Sequence, residues 1–297
     1  MGSAGLARLY DFVTVDVFTD RRFGGNPLAV FPAADGVTGA EMQAIAGEFN
    51  LSETAFVLPP AEPAHTAAVR IFTPRTELPF AGHPNVGTGW VLAQRGLDRD
   101  GVLLFEEAAG LVRVEVERGA AGILATRIGA PAPLTTAPAP PAAVVAACAG
   151  LAADDLVRPP VLASVGTEFL FAEVAAAALS HAAGEISAFR GMVASHAGLR
   201  DTCSLYLYAR DRGKISARMF GPLAGIPEDP ATGSAAATLA ALLLDQDGGD
   251  ALAIEISQGV EMGRPSRLLA SARRDADGVR AWVGGSTVPV TEGRLTL

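Results

Sequence analysis

The chain has 297 residues, 49% of them hydrophobic, and 23 basic against 32 acidic residues give a formal net charge of −9. That length and apolar content suffice for a sizeable core and suggest two domains. The acidic balance disfavours nucleic acid or an anionic membrane as partner, since both reward basic patches. In chain order, alternation predicts a strand over residues 11–18, and 3.6-residue periodicity predicts a helix over 38–49. A strand at 67–72, a helix at 86–95 and a strand at 112–116 follow. Residues 130–141 (APAPLTTAPAPP) read as an extended, proline-rich connector. Beyond it come helices at 142–150 and 169–183, strands at 204–209 and 214–220 joined by a hairpin turn, a helix at 234–245 and a strand at 252–257. Strands with few long helices predict an α+β fold rather than a doubly wound parallel sheet. The connector divides the chain into halves 1–130 and 131–297, with the option that the last strand returns to the first half.

The apolar run at 235–244 is too short to span a bilayer, and the N-terminus lacks the continuous apolar block of a signal peptide. A cytoplasmic protein is expected. Cys148 and Cys203 imply no disulfide framework and read as small core residues. The one lysine, Lys214, lies at a hairpin turn and belongs to no phosphate-binding Gly-Lys-Ser/Thr loop. It is also a poor Schiff-base candidate. The histidines His65, His83, His181 and His196 lack paired metal spacing, and there is no GxGxxG. The reading is therefore of a protein with no metal and no cofactor.

The two halves are related. His83-Pro84-Asn85-Val86-Gly87-Thr88 matches Asp229-Pro230-Ala231-Thr232-Gly233-Ser234 at an offset of 146 residues. Upstream, Phe72-x-Pro74 matches Phe220-x-Pro222 at an offset of 148. Two ordered matches at nearly one offset indicate an internal duplication. Each repeat runs into an apolar helix, so Thr88 and Ser234 are expected to cap a helix start. Helix N-termini with glycine-permitted close approach make anion sites, and two of them facing across a cleft would grip a small carboxylate. His83 exchanges protons near neutrality in its ordinary state, and Asp229 offers hydrogen bonds. Glu53, between a helix and a strand and flanked by apolar residues, suits a general acid/base if burial raises its pKa. The blander readings stand beside these. A lone Glu after a helix is often a cap or a solvated residue, and Asp-Pro is a common turn starter.

Several motifs together closely resemble the PhzF family of phenazine-biosynthesis proteins. They are Phe23-Gly24-Gly25-Asn26-Pro27, Ser52-Glu53-Thr54, the run from Phe72-Thr73-Pro74 through Gly82-His83-Pro84 to Gly87-Thr88, Glu228 to Ala235, and Gln258 to Ser266. The resemblance spreads over most of the chain in matching order. It implies a diaminopimelate-epimerase-like fold, with two pseudo-symmetric halves each wrapping a curved, mostly antiparallel sheet around a central helix. It also implies a cofactor-independent isomerase, the founding activity being proton transfer on trans-2,3-dihydro-3-hydroxyanthranilate. On that likeness the catalytic residues are Glu53, His83 and Asp229, and the substrate contacts are Ser52, Gly82, Gly233 and Ser234. The expected partner is a small carboxylate substrate, and the family often forms homodimers. Related racemases use two facing cysteines, but residues 80–88 and 228–235 contain none. The readings that compete are a racemase or epimerase of an amino acid-like substrate working through Glu53, and a non-enzymatic binding protein that kept the fold.

Overall fold

The structure is a computed structural model that describes residues 7–120 and 122–297, so the opening MGSAG lies outside the described residues. In chain order its elements are β1 (Leu9–Val17), β2 (Asn26–Phe31), α1 (Gly39–Phe49), β3 (Glu53–Leu58), β4 (Ala67–Phe72), β5 (Glu77–Leu78), α2 (Gly82–Gln94), β6 (Val102–Glu107), β7 (Gly110–Gly119) and β8 (Gly122–Gly129). There follow β9 (Thr135–Pro138), α3 (Ala142–Ala147), β10 (Val161–Ser164), β11 (Glu168–Glu173), α4 (Ala176–His181), α5 (Ile186–Ser195), β12 (Leu205–Asp211), β13 (Lys214–Gly221) and β14 (Ile226–Asp229). The chain ends with α6 (Gly233–Asp247), β15 (Ala251–Gln258), β16 (Ser266–Asp275), β17 (Gly278–Gly285) and β18 (Thr287–Thr296). Contacts divide the chain into two compact units. The first takes the N-terminal stretch through Phe23, Pro27–Ile128 and Ser286–Leu297; the second takes Gly24–Asn26 and Gly129–Gly285.

The two units repeat one pairing scheme. In the first, β2 runs parallel to β3, β3 antiparallel to β4, β4 antiparallel to β5 and parallel to β6, and β6–β7–β8 form an antiparallel meander. In the second, β11 runs parallel to β12, β12 antiparallel to β13, β13 antiparallel to β14 and parallel to β15, and β15–β16–β17 form the meander. In the first unit β18 pairs antiparallel with β1 along its whole length. The duplication suspected from two short motifs thus extends to strand order.

Each unit's central helix is buried nearly all round, as its mostly small and apolar sequence permits. In α2, buried residues run from Gly82 to Gly89 and resume at Val91–Ala93; in α6, Ala235–Leu244 are all buried. Helix α2 packs on β1, β3, β7 and β18, and α6 on β10, β15, β16 and β17. Glycine lets α2 approach its sheet: a Cβ on Gly87 would stand 2.7 Å from Val17 and Leu28 side chains, and one on Gly89 2.6 Å from Val114. An aromatic cluster seats α1 on the first unit's sheet, with Phe31 stacked on Phe56 at 5.0 Å and Phe56 edge-on to Phe72 at 5.6 Å.

Two expectations need correction. Residues 169–183 are not one helix but strand β11 followed by the short helix α4. Strand β11 is paired on both sides and buried at five successive residues. A strand covered on both faces loses alternation and resembles a buried helix in periodicity. The connector at 130–141 is extended, but Thr135–Pro138 within it is a strand paired with β10 in the second unit. Cys148 and Cys203 are buried and free, as their surroundings predict. No helix among the described residues is long and apolar enough to cross a membrane.

Candidate active site

In the first unit, α1 ends on Asn50, whose left-handed φ of 48° turns the chain. Three residues later Glu53 opens β3 opposite Leu28 of β2. Its carboxylate is only 13% exposed, and Oε2 lies 3.5 Å from Nε2 of His83 in the first turn of α2. Ser52 is half-buried beside it, and Gly82 is the buried first residue of α2. The His83 ring donates to the Pro27 carbonyl, and Nε2 is buried with no hydrogen-bond partner among the described residues. Burial pushes the imidazole down to about 3. At neutral pH His83 is therefore a neutral ring, not the near-neutral proton exchanger its ordinary value suggests. The 3.5 Å approach to Glu53 is then a contact between a carboxyl group and a lone-pair-bearing nitrogen rather than an ion pair.

In the second unit, Asp229 ends β14 and is buried. Oδ1 accepts from Asn26 Nδ2 at 2.9 Å and Oδ2 from the Thr232 hydroxyl at 2.6 Å. Burial raises the carboxyl to about 6 against the lowering effect of those two donors. Beside it, Glu228 is held by the buried Arg218 at 2.8 and 2.9 Å, and Arg218 also donates to the Leu179 and Ala182 carbonyls at 3.1 and 2.6 Å. Removing one side of such an assembly strands the rest. Arg218→Met is expected to cost about 3–5 kcal/mol of folding stability in urea titrations. Adding Glu228→Gln should recover part of that loss.

Gly233 and Ser234 form the first turn of α6, where backbone N–H groups have no intrahelical acceptor. The capping roles expected for Thr88 and Ser234 are not found. Thr88 lies in the second turn of α2, because that helix starts at Gly82, and its buried hydroxyl has no hydrogen-bond partner among the described residues. The N-cap position of α6 is Thr232, whose hydroxyl is turned to Asp229 instead.

The second unit also joins three motif segments far apart in sequence. Arg264 donates to the carbonyls of Gly24 and Gly25 at 2.8 and 2.9 Å, and the Ser266 hydroxyl donates to the Pro230 carbonyl at 2.8 Å. Gln258 binds Asp229 and Thr232. Asn26, Thr232 and Gln258 hydrogen-bond at or beside Asp229, which residue-by-residue reasoning missed, although each sits inside a motif that carries the family likeness. Within the chemistry on hand, the first unit presents a carboxylate beside a neutral imidazole. The second presents a near-neutral carboxylate beside a helix N-terminus.

The profile of a family described as phenazine biosynthesis-like protein (PhzC–PhzF) matches residues 15–293. The chain belongs to this family. It is 36% identical to the trans-2,3-dihydro-3-hydroxyanthranilate isomerase of Pseudomonas chlororaphis, over 97% of this chain and 100% of that one. It is 38% identical to an uncharacterized isomerase of Mesorhizobium japonicum, over 97% and 99% of the two chains. The PhzF-family phenazine biosynthesis protein of Bacillus anthracis shares its fold, with a TM-score of 0.87 at 24% identity over 98% of this chain and 100% of that one. The α+β, diaminopimelate-epimerase-like architecture expected from the motifs is the one observed, and this PhzF-family chain is an isomerase.

Proposed function

We propose that this PhzF-family isomerase moves a proton within a small carboxylate resembling trans-2,3-dihydro-3-hydroxyanthranilate, without a cofactor, and that Glu53 is the acid/base. The observation that carries the reading is the sequestered Glu53 carboxyl, 3.5 Å from an imidazole that burial keeps neutral. A neutral ring does not neutralise a carboxylate base, yet its nitrogen accepts a hydrogen bond once the carboxyl has taken up a proton. The 36% identity to a named isomerase of that compound supports the substrate class.

In this mechanism the substrate carboxylate is held by the first-turn N–H groups of α6 at Gly233 and Ser234 and by the Ser234 hydroxyl. Ser52 and Gly82 make further contacts. Ionised Glu53 removes a proton from a carbon made acidic by conjugation. His83 Nε2 and Asp229 accept hydrogen bonds from the substrate's polar substituents and so orient it, while the displaced charge spreads through the conjugated system toward the carboxylate held at the α6 N–H groups. Protonated Glu53 then returns the proton to a second carbon of the same conjugated system. The test is turnover of trans-2,3-dihydro-3-hydroxyanthranilate in deuterated water, followed by ultraviolet absorbance, with product analysed by mass and chirality. Double-bond migration is the expected outcome. Inversion at a stereocentre with the double bonds unmoved would replace isomerisation by epimerisation, and ligand binding without proton movement would make the protein a binder.

A further inference from the structure

The hydrogen bonds around Gln258 leave no freedom in their direction. The Asp229 backbone carbonyl only accepts, so the Gln258 atom 2.8 Å from it is the amide nitrogen. The Thr232 backbone N–H only donates, so the Gln258 atom 3.2 Å from it is the oxygen. The Tyr206 hydroxyl, fully buried, donates to that same oxygen at 3.1 Å. With the amide fixed, its second N–H points at the Thr232 hydroxyl oxygen at 3.0 Å. That oxygen is thereby an acceptor, and its single proton goes to Asp229 Oδ2 at 2.6 Å. On the other side Asn26 Nδ2 divides its two protons between Asp229 Oδ1 at 2.9 Å and the Ala231 carbonyl at 3.0 Å. Each carboxylate oxygen of Asp229 thus faces a donor.

A hydroxyl free to rotate would serve either form of its neighbour, donating to a carboxylate or accepting from an acid. Thr232 has lost that choice to Gln258. We propose that Gln258 is a positioning residue of the reaction: it aims the Thr232 hydroxyl at Asp229 and so holds that carboxyl in its ionised, hydrogen-bond-accepting state. The inference rests on the reading that Asp229 serves the substrate. The titratable groups acting on Asp229 are Glu228 beside it in β14, whose charge is answered by Arg218 of β13, and Tyr206 of β12, whose own ionisation is suppressed by burial and by Asp229. Glu261, 4.0 Å from Arg218, is one shell further out. The direction follows from the causes already given: burial favours the protonated form, and the aimed hydroxyl opposes it.

The experiment is a carbon-13 NMR titration of the Asp229 carboxyl, run beside the pH profile of kcat/KM. Gln258→Met and Thr232→Val are expected to move the Asp229 midpoint, and with it the acid limb of the profile, upward by about one to two pH units. Thr232→Ser keeps the hydroxyl and is expected to leave the midpoint in place. A purely structural role would lower the rate at every pH with the midpoint unmoved, and that result overturns the proposal. So does a midpoint that Thr232→Val moves but Gln258→Met does not. Should Gln258→Met fail to fold, the unaltered protein still decides: its Gln258 side-chain amide resonances are expected to titrate with the Asp229 midpoint, and resonances that stay still overturn the assignment. If Asp229→Asn leaves turnover intact, the catalytic assignment of Asp229 falls, while the NMR titration continues to report separately on Gln258.

Discussion

Glu53→Gln is expected to lower kcat for trans-2,3-dihydro-3-hydroxyanthranilate by roughly 10³-fold, within the range of about 10² to 10⁴ that a positioned acid/base contributes. The change is nearly isosteric, so the opening turn of β3 and its pairing to Leu28 have no reason to move. The Gln amide can still donate to the His83 nitrogen that Glu53 faces at 3.5 Å, which keeps the packing there intact. What disappears is the basic oxygen. KM and the urea midpoint should therefore change little while deuterium incorporation stops. Glu53→Asp gives a finer test, since it keeps the chemistry and retracts it by one methylene. An ångström-scale displacement of a reacting group costs about 10²-fold, so this variant is expected to lie between the other two. Wild-type turnover in Glu53→Gln would remove Glu53 from the mechanism and leave it a structural residue.

Both outcomes bear on how much of this protein is legible in its sequence. The duplication was visible because Pro and Gly restrict or free the backbone wherever they stand, so His83-Pro84…Gly87 and Asp229-Pro230…Gly233 keep a recognisable spacing. The central helices showed through their mostly apolar, small-residue content, and the β12–β13 hairpin through its turn, where Arg212 and Gly213 both take positive φ. The hidden parts depend on contacts between remote residues. Strand β11 looked helical because neighbours on both sides remove the alternation. Thr88 and Ser234 looked like matched caps, yet α2 starts five residues before Gly87, whereas α6 starts at Gly233. His83 looked like a neutral-pH proton carrier, and only its burial, which holds the imidazole down to about 3, shows otherwise. Asn26 meets Asp229 across 203 residues of sequence, and no local pattern encodes that meeting. The family motifs marked the right segments, but the hydrogen bonds are needed to say which atoms within them act.

A buried acid outside those motifs leads to the second large effect. Both carboxyl oxygens of Glu107, at the end of β6, are buried, and burial pushes the group up to about 8 against the lowering effect of the neighbouring Asn85 side chain. Its polar neighbour is Asn85 in the first turn of α2. The Asn85 amide nitrogen donates to the Ala81 carbonyl at 3.1 Å, and its Oδ1 is likewise buried. A protonated Glu107 can donate to that oxygen, whereas an ionised one buries a charge beside it. Below the ordinary carboxyl value of 4.5 the folded and unfolded chains both carry the proton, and the site costs nothing. As pH rises, the unfolded chain releases the proton first, so stability falls until the folded protein also releases it near pH 8. By pH 7 that loss amounts to about 3 kcal/mol. Glu107→Gln has the same shape, does not titrate, and supplies an N–H donor for Asn85. It is expected to stabilise the protein by about 2–3 kcal/mol at pH 7, with an advantage that shrinks toward zero at pH 4. Urea titrations of both proteins at the two pH values measure this directly. A difference of equal size at both would mean that the carboxyl does not titrate between them, and that its burial is relieved in solution. The pH-dependent result would instead make the seating of α2, the helix that carries His83, depend on a carboxylic acid that keeps its proton at neutral pH.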